Sequence, residues 1–86
     1  MTNAFTPTAI NTATTIAITT GNTFLHTAVL PKSNTGTITF QSASGTTYWV
    51  YPPSSIGNTY IYDVELANGL TIVTASADYI TVNTGQ

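Results

Sequence analysis

Asp63 and Glu65 are the residues of this chain whose type and spacing come nearest to a catalytic arrangement. At positions i and i+2 of a strand they share one face, with about 7 Å between their Cα atoms. The paired carboxylates of glycosidases lie about 5–9 Å apart, so the spacing allows acid and base chemistry on a glycosidic bond. Both residues fall on the predicted solvent face, where no cleft would raise the pKa of one of them. We therefore interpret them as solvated charges.

Asp78 and His26 extend the search to two other kinds of site. Asp78 and the two carboxylates would supply oxygen ligands for Ca²⁺, but their spacing matches no calcium-binding loop. His26 would need Asp78 and a serine to form a hydrolase triad, and no serine lies in a nucleophile elbow. A histidine within a strand is more often structural, or a protonation-sensitive contact. The sequence predicts no catalytic residue, no metal site and no cofactor, so we expect a protein that is not an enzyme.

An aromatic segment followed by two prolines is the strongest candidate for an interface. Trp49 and Tyr51 share one face of their strand, so this face presents large rings to whatever lies against it. Core packing accounts for part of such a pattern, but Trp and Tyr are also the usual anchors of protein interfaces. Pro52 and Pro53 end the strand, because neither ring has an N–H for the ladder, and they form a rigid corner. We predict that these four residues contact a partner.

Residues 1–13 precede the first clear strand pattern and contain Phe5, Pro7 and Ile10 among small polar residues. Such a segment is either a flexible leader or an extended N-terminal arm that lies on a neighbouring subunit. The second interpretation adds Phe5, Pro7 and Ile10 to the predicted interface. We expect the rest of the chain, residues 14–86, to form a single domain.

Composition limits the kinds of function that are open to the chain. It has 86 residues, no cysteine, 5% charged residues and a formal net charge of −2. Lys32 is the one basic side chain, which argues against binding to nucleic acid or to an anionic membrane surface. A hydrophobic content of 42% argues against disorder. Because a small core without disulfides is marginal and low charge favours association, we expect a homo-oligomer.

The dominant pattern is period-two alternation of β-branched or aromatic residues with threonine, broken by Gly, Pro, Asn and Ser. No stretch has a helical period. The alternation predicts a compact antiparallel β-sandwich of about seven strands, either jelly-roll or immunoglobulin-like. The predicted strands are residues 14–20, 23–30, 36–41, 46–51, 59–66, 70–74 and 79–82.

One hairpin is predicted in detail around Asn68 and Gly69. A three-residue loop with Gly69 in the left-handed region would form a bulged turn and place all apolar side chains on one face. A slip of one residue would move every side chain to the wrong face, so we favour this register. The resulting pairs are Leu66 with Leu70, Val64 with Ile72 and Tyr62 with Thr74.

Several segments resemble the small Thr- and Gly-rich all-β structural proteins found among the virion genes of tailed bacteriophages. The resemblance extends over residues 21–82 and is strongest around the predicted hairpin. The segments that carry it are Phe24-Leu25-His26, Gly36-Thr37-Ile38-Thr39-Phe40, Tyr62-Asp63-Val64, Asn68-Gly69-Leu70-Thr71-Ile72-Val73-Thr74 and Ala77-Asp78-Tyr79-Ile80-Thr81-Val82.

The resemblance implies a capsid decoration or cement protein, with the major capsid protein as its partner and a trimer as its favoured oligomer. It also implies synthesis in the cytoplasm of a bacterial host and a final location on the outer surface of the virion head. The alternative is a tail, fibre or neck-associated module that binds host-surface glycan through Trp49, Tyr51 and Tyr60.

Overall fold

The alternating sequence folds into eight β-strands in a computed structural model, which describes residues 5–85. The predicted all-β antiparallel sandwich is confirmed. Every predicted strand is present, with boundaries that differ by three residues or fewer. The strands are β1 (Thr6–Ile10), β2 (Thr14–Thr19), β3 (Thr23–Leu30), β4 (Ile38–Gln41), β5 (Thr47–Tyr51), β6 (Asn58–Leu66), β7 (Leu70–Thr74) and β8 (Ile80–Gly85).

Strand β1 lies in the segment that was expected to form an extended arm. It pairs antiparallel with β8 of the same chain, from Thr6 opposite Thr84 to Ile10 opposite Ile80. Ile10 is 2% exposed and belongs to the core, which explains why the segment joins the sandwich. Pro7 is tolerated because β1 is an edge strand with one side of its ladder open. Residues 1–4 of the predicted arm lie outside the described residues.

The eight strands form two four-stranded sheets with a nested pattern of pairing. Sheet A has the order β1-β8-β3-β6, and sheet B has the order β2-β7-β4-β5. The pairs β1–β8, β2–β7, β3–β6 and β4–β5 enclose one another around the turn at residues 42–46. Gly45 closes this turn with a φ of 100° and donates its N–H to the Ser42 carbonyl at 3.0 Å. This rolled ribbon is the jelly-roll topology, one of the two predicted alternatives.

The core lies between the sheets and is formed by the alternate inward-facing positions of the strands. Its best-buried large side chains come from both sheets, so neither sheet has an apolar inner face left open. They are Phe40, Leu25, Leu30, Ile38, Leu70, Ile72, Ile80 and Val82, each less than 2% exposed.

The hairpin predicted around Gly69 is wrong. Strand β6 pairs with β3 in sheet A, whereas β7 pairs with β2 and β4 in sheet B, so the connection crosses from one sheet to the other. The apolar face of each strand points into the same core, and this satisfies the alternation without direct pairing. Gly69 does adopt the predicted left-handed conformation, with a φ of 83°. A Cβ atom there would lie 2.6 Å from the Thr19 carbonyl oxygen, so this crossing needs glycine.

A bulge interrupts the pairing of β3 with β6. Leu25 is opposite Val64 and Thr27 is opposite Ile61, so His26 alone faces two residues of β6. Asp63 is one of these two residues and has a φ of 48°, in the left-handed region that few non-glycine residues adopt. The bulge divides β6 into two regularly paired stretches, residues 58–61 and residues 64–66.

Candidate functional site

Two strand edges meet on one flank of the sandwich, because β5 ends sheet B and β6 ends sheet A. Aromatic side chains from both strands fill the space between them. The ring centroids of Tyr51 and Tyr60 are 5.1 Å apart, and those of Trp49 and Tyr62 are 4.7 Å apart. Phe40 of β4 lies 5.2 Å from Trp49 and 5.3 Å from Tyr51. These five rings form an aromatic cluster that joins the edges of the two sheets.

The hydroxyls of Tyr51 and Tyr62 in the aromatic cluster stay uncharged around neutral pH. Burial raises the pKa of Tyr51, and its hydroxyl contact with Tyr62 raises the pKa further. Burial also raises the pKa of Tyr62. The buried indole N–H of Trp49 makes no hydrogen bond of acceptable geometry, although its proximity lowers the pKa of both hydroxyls slightly. The cluster therefore behaves as a neutral, largely apolar unit.

Large apolar side chains are exposed around this cluster. Ile56 is 75% exposed, Ile61 is 69% exposed and Val50 is 43% exposed. The whole stretch of residues 48–62 contains no charged side chain. We call this stretch the β5–β6 flank. It combines exposed apolar groups with the open sides of two strand ladders, and this is the chemistry of a protein interface.

Asn34 holds the loop of the β5–β6 flank in place from inside. Its side chain is 2% exposed and donates from Nδ2 to the carbonyls of Gly36 at 2.6 Å and Pro52 at 3.0 Å. Its Oδ1 accepts from the N–H of Ser55 at 2.9 Å, and its backbone carbonyl accepts from the N–H of Ser54 at 2.8 Å. One buried amide thus ties the β3–β4 loop to the β5–β6 loop.

Asp78 fixes the same β3–β4 loop from the other side. Its Oδ1 accepts from Thr35 N at 2.7 Å and from Thr35 Oγ1 at 3.0 Å, and its Oδ2 accepts from Gly36 N at 2.9 Å. Burial raises the pKa of the Asp78 carboxyl, but these hydrogen bonds and the nearby Lys32 ammonium outweigh burial. The pKa of Asp78 is therefore lowered from its ordinary value of 3.8.

The depressed pKa of Asp78 predicts a loss of stability in acid. A carboxyl whose folded pKa lies below its unfolded pKa contributes its full stabilisation above the unfolded value, and loses it as the pH falls through the folded value. We expect Asp78→Asn to lower the free energy of unfolding at pH 7 by about 1–3 kcal/mol. The difference from the unchanged protein should shrink as the pH falls below 3.8. Urea unfolding at several pH values measures this difference in the free energy of unfolding. A difference independent of pH would contradict the stabilising role of the Asp78 carboxylate.

The structure brings His26 and Asp63 together, whereas Glu65 and Asp78 make other contacts. His26 Nδ1 contacts Asp63 Oδ1 on the outer face of sheet A, and the Phe5 ring stacks on His26 at 4.4 Å. Glu65 accepts a hydrogen bond from Asn22 Nδ2 at 2.8 Å. Asp78 is bound to Thr35 and Gly36 instead of His26. Within residues 5–85, no group of three His, Cys, Asp or Glu side chains could hold a metal ion.

The predicted interface residues occupy different environments. Tyr51 and Ile10 are 7% and 2% exposed, so both pack within the sandwich itself. Trp49 is partly buried in the aromatic cluster. The exposed members are Phe5, Pro7, Pro52 and Pro53. A contact of any of these residues with a partner stays a prediction.

Ile56, Ile61 and Asn34 were not among the predicted site residues. Ile61 had a signal in the sequence, because alternation places it on the same face as Asp63 and Glu65, where an isoleucine has no core to join. Ile56 and Asn34 lie in loops, where alternation gives no information about burial. Their roles depend on how the β3–β4 loop and the β5–β6 loop come together.

No family model and no curated protein matches this chain. Solved structures do match it, and among them is the NLP core of Drosophila, whose crystal structure was described for pentamer formation and histone binding. The match covers 95% of this chain and 95% of the Drosophila chain, with 13% sequence identity and a TM-score of 0.53. The similarity shows a shared fold. The described strands and loops contain no helix that is long and apolar enough to cross a membrane.

The capsid function expected from the phage resemblance is wrong. The matching NLP core of Drosophila was described for pentamer formation and histone binding, and it is not a capsid protein. The same finding contradicts the expected partners, which were the major capsid protein and a trimer on its lattice. The alternative of a tail, fibre or neck module is also left without support, and none of the comparisons supports the resemblance itself.

Proposed function

We propose that this protein is a non-catalytic assembly subunit, which works by binding further copies of itself through the β5–β6 flank. The observation that carries the proposal is the exposure of Ile56 and Ile61 beside two open strand edges, in a stretch without charge. Full burial of an isoleucine side chain stabilises by about 1.5–3 kcal/mol, so covering these two residues is a substantial driving force. The loop that carries Ile56 is already held by Asn34, so binding orders little new chain.

The fold comparison supports assembly as a mode of action, because the Drosophila NLP core shares the fold and its structure was described for pentamer formation. The shared fold does not imply that this chain binds histones. Histones are strongly basic, and this chain has three acidic residues. One of them, Asp78, is buried in hydrogen bonds, which leaves Asp63 and Glu65 on the outer face of sheet A. Two exposed carboxylates are a poor match for such a partner.

The test is the molar mass of the protein in solution. Sedimentation velocity over a range of concentrations should give a multiple of the 9.0 kDa chain mass. Ile56→Lys should raise the dissociation constant by about tenfold or more, since it places a charge in the interface. Ala17→Lys places the same charge on exposed β2, at the opposite edge of sheet B, and should leave assembly unchanged. A monomer at all concentrations would show that the proposed function is wrong.

A further inference from the structure

The four edge strands of the sandwich differ in how they are protected against pairing with another chain. Natural edges are blunted by proline, charge or bulges. Strand β1 carries Pro7, and β2 has an irregularity between Ala17 and Thr19. Strand β5 is bulged at Tyr48, because the register shifts between Trp49 and Thr47. Strand β6 is bulged at Tyr62 and Asp63 and also carries Glu65, but these residues follow its first four positions.

The first half of β6 has none of these protections. Residues 58–61 contain no proline, no charge and no bulge. The corresponding stretch of β2, residues 14–17, is equally long but exposes no side chain larger than Thr15. On β6, Ile61 is 69% exposed on the outer face of sheet A. This half of β6 therefore offers both free backbone groups and apolar surface.

We propose that residues 59–61 of β6 pair antiparallel with the same residues of a second copy, so that two copies of sheet A join into one eight-stranded sheet. This inference rests on the proposed assembly function and assigns the contact between copies to the backbone of β6. Backbone hydrogen bonds between edge strands supply affinity in this mode of binding. Because the same surface is used on both sides, the pair is a closed two-fold dimer and leaves no free β6 edge.

The register of this pairing follows from the bulge and from the two faces of the strand. Side chains that lie opposite each other must be on the same face, so an outward residue meets an outward residue. Centring the pair on Tyr60 uses residues 59–61, which precede the bulge, and places Thr59 opposite Ile61 of the second copy. A shift that centres the pair on Asp63 would bring its bulge and two like charges together. The register centred on Tyr60 avoids both.

A charge-exchange experiment tests the pairing. Two double variants are made, Thr59→Lys with Ile61→Lys and Thr59→Glu with Ile61→Glu, and each should weaken dimerisation about tenfold or more by repulsion. An equal mixture of the two should recover dimers that contain one chain of each kind. The matched control, Thr15→Lys with Ala17→Lys, places the same charges on β2 and should dimerise normally. Native mass spectrometry identifies each species.

Disulfide cross-linking tests the register without charge, since the chain has no cysteine of its own. Thr59→Cys mixed with Ile61→Cys should form mixed disulfide dimers faster than either variant alone, because residues directly opposite lie within disulfide reach. Assembly that is unaffected by all changes on β6 would overturn this inference and leave the proposed function standing. A monomeric unchanged protein would overturn both. Equal cross-linking in every combination would overturn the register.

Discussion

Replacing Asn34 by alanine is expected to lower the free energy of unfolding by about 3–5 kcal/mol, because three backbone groups, one buried and two part-buried, lose their partner at once. The N–H of Ser55 and the carbonyls of Gly36 and Pro52 all bond to this one side chain. Each buried polar group left without a partner costs about 1–3 kcal/mol. Chemical denaturation in urea measures the change.

The matched control for Asn34 is Asn11→Ala, at an exposed position in the turn after β1. A change there of less than about 0.5 kcal/mol is expected for a surface site. The stabilising role of Asn34 would be wrong if both variants unfolded at the same urea concentration. Because Asn34 also shapes the loop that carries Ile56, its alanine variant should assemble more weakly even where it remains folded.

Replacing Phe40 by alanine is expected to destabilise the fold by about 3–5 kcal/mol, as is usual for a buried phenylalanine. Phe40 is 0% exposed and lies against Trp49 and Tyr51. Domains have a free energy of unfolding of about 5–15 kcal/mol, so a small domain loses most of its stability with this single change. The variant should be largely unfolded at moderate temperature, which the loss of tryptophan fluorescence signal and a lowered Tm would report.

Val50→Ala is the control for Phe40, because it removes methyl groups from the same pair of strands at a 43% exposed site. We expect this change to cost less than about 1 kcal/mol, since little buried surface is lost. Equal destabilisation by the two variants would show that the aromatic cluster is not what joins the sheets at this flank.

The strands could be predicted from the sequence because alternation is a local property. Residues 23–30 and 70–74 were predicted with their observed boundaries, since polar or turn residues flank clear runs of β-branched and apolar side chains. Burial of one face and exposure of the other produce this alternation of apolar and polar residues in any antiparallel sandwich. The fold class follows from it directly.

Sheet membership could not be predicted from the same signal. A strand that pairs with its neighbour and a strand that crosses to the opposite sheet present the same apolar face to one core. The sequence around Gly69 was therefore assigned to a hairpin, whereas the structure uses its left-handed conformation for a crossing. Strand β1 was missed for a related reason, because Pro7 and small polar residues hide its single core residue, Ile10.

The aromatic residues and the proline corner were predicted to form an interface from their types alone. They lie on the β5–β6 flank, and their contact with a partner stays a prediction. The exposure of Ile56 and the burial of Asn34 depend on contacts between residues about 20 positions apart in the chain, such as Asn34 with Ser55. No period or motif encodes such contacts.

The nested pairing around the turn at residues 42–46 has a consequence for synthesis on the ribosome. The chain emerges from its N-terminus, and the partner of β1 is β8, the last strand to be made. At about 5–20 residues per second, β1 waits roughly 4–15 seconds for its partner. During that interval β2 and β3 also lack their nested partners, β7 and β6. Because β4 and β5 form the innermost of the nested pairs, the β4–β5 ribbon is the first element of the nascent chain that can close.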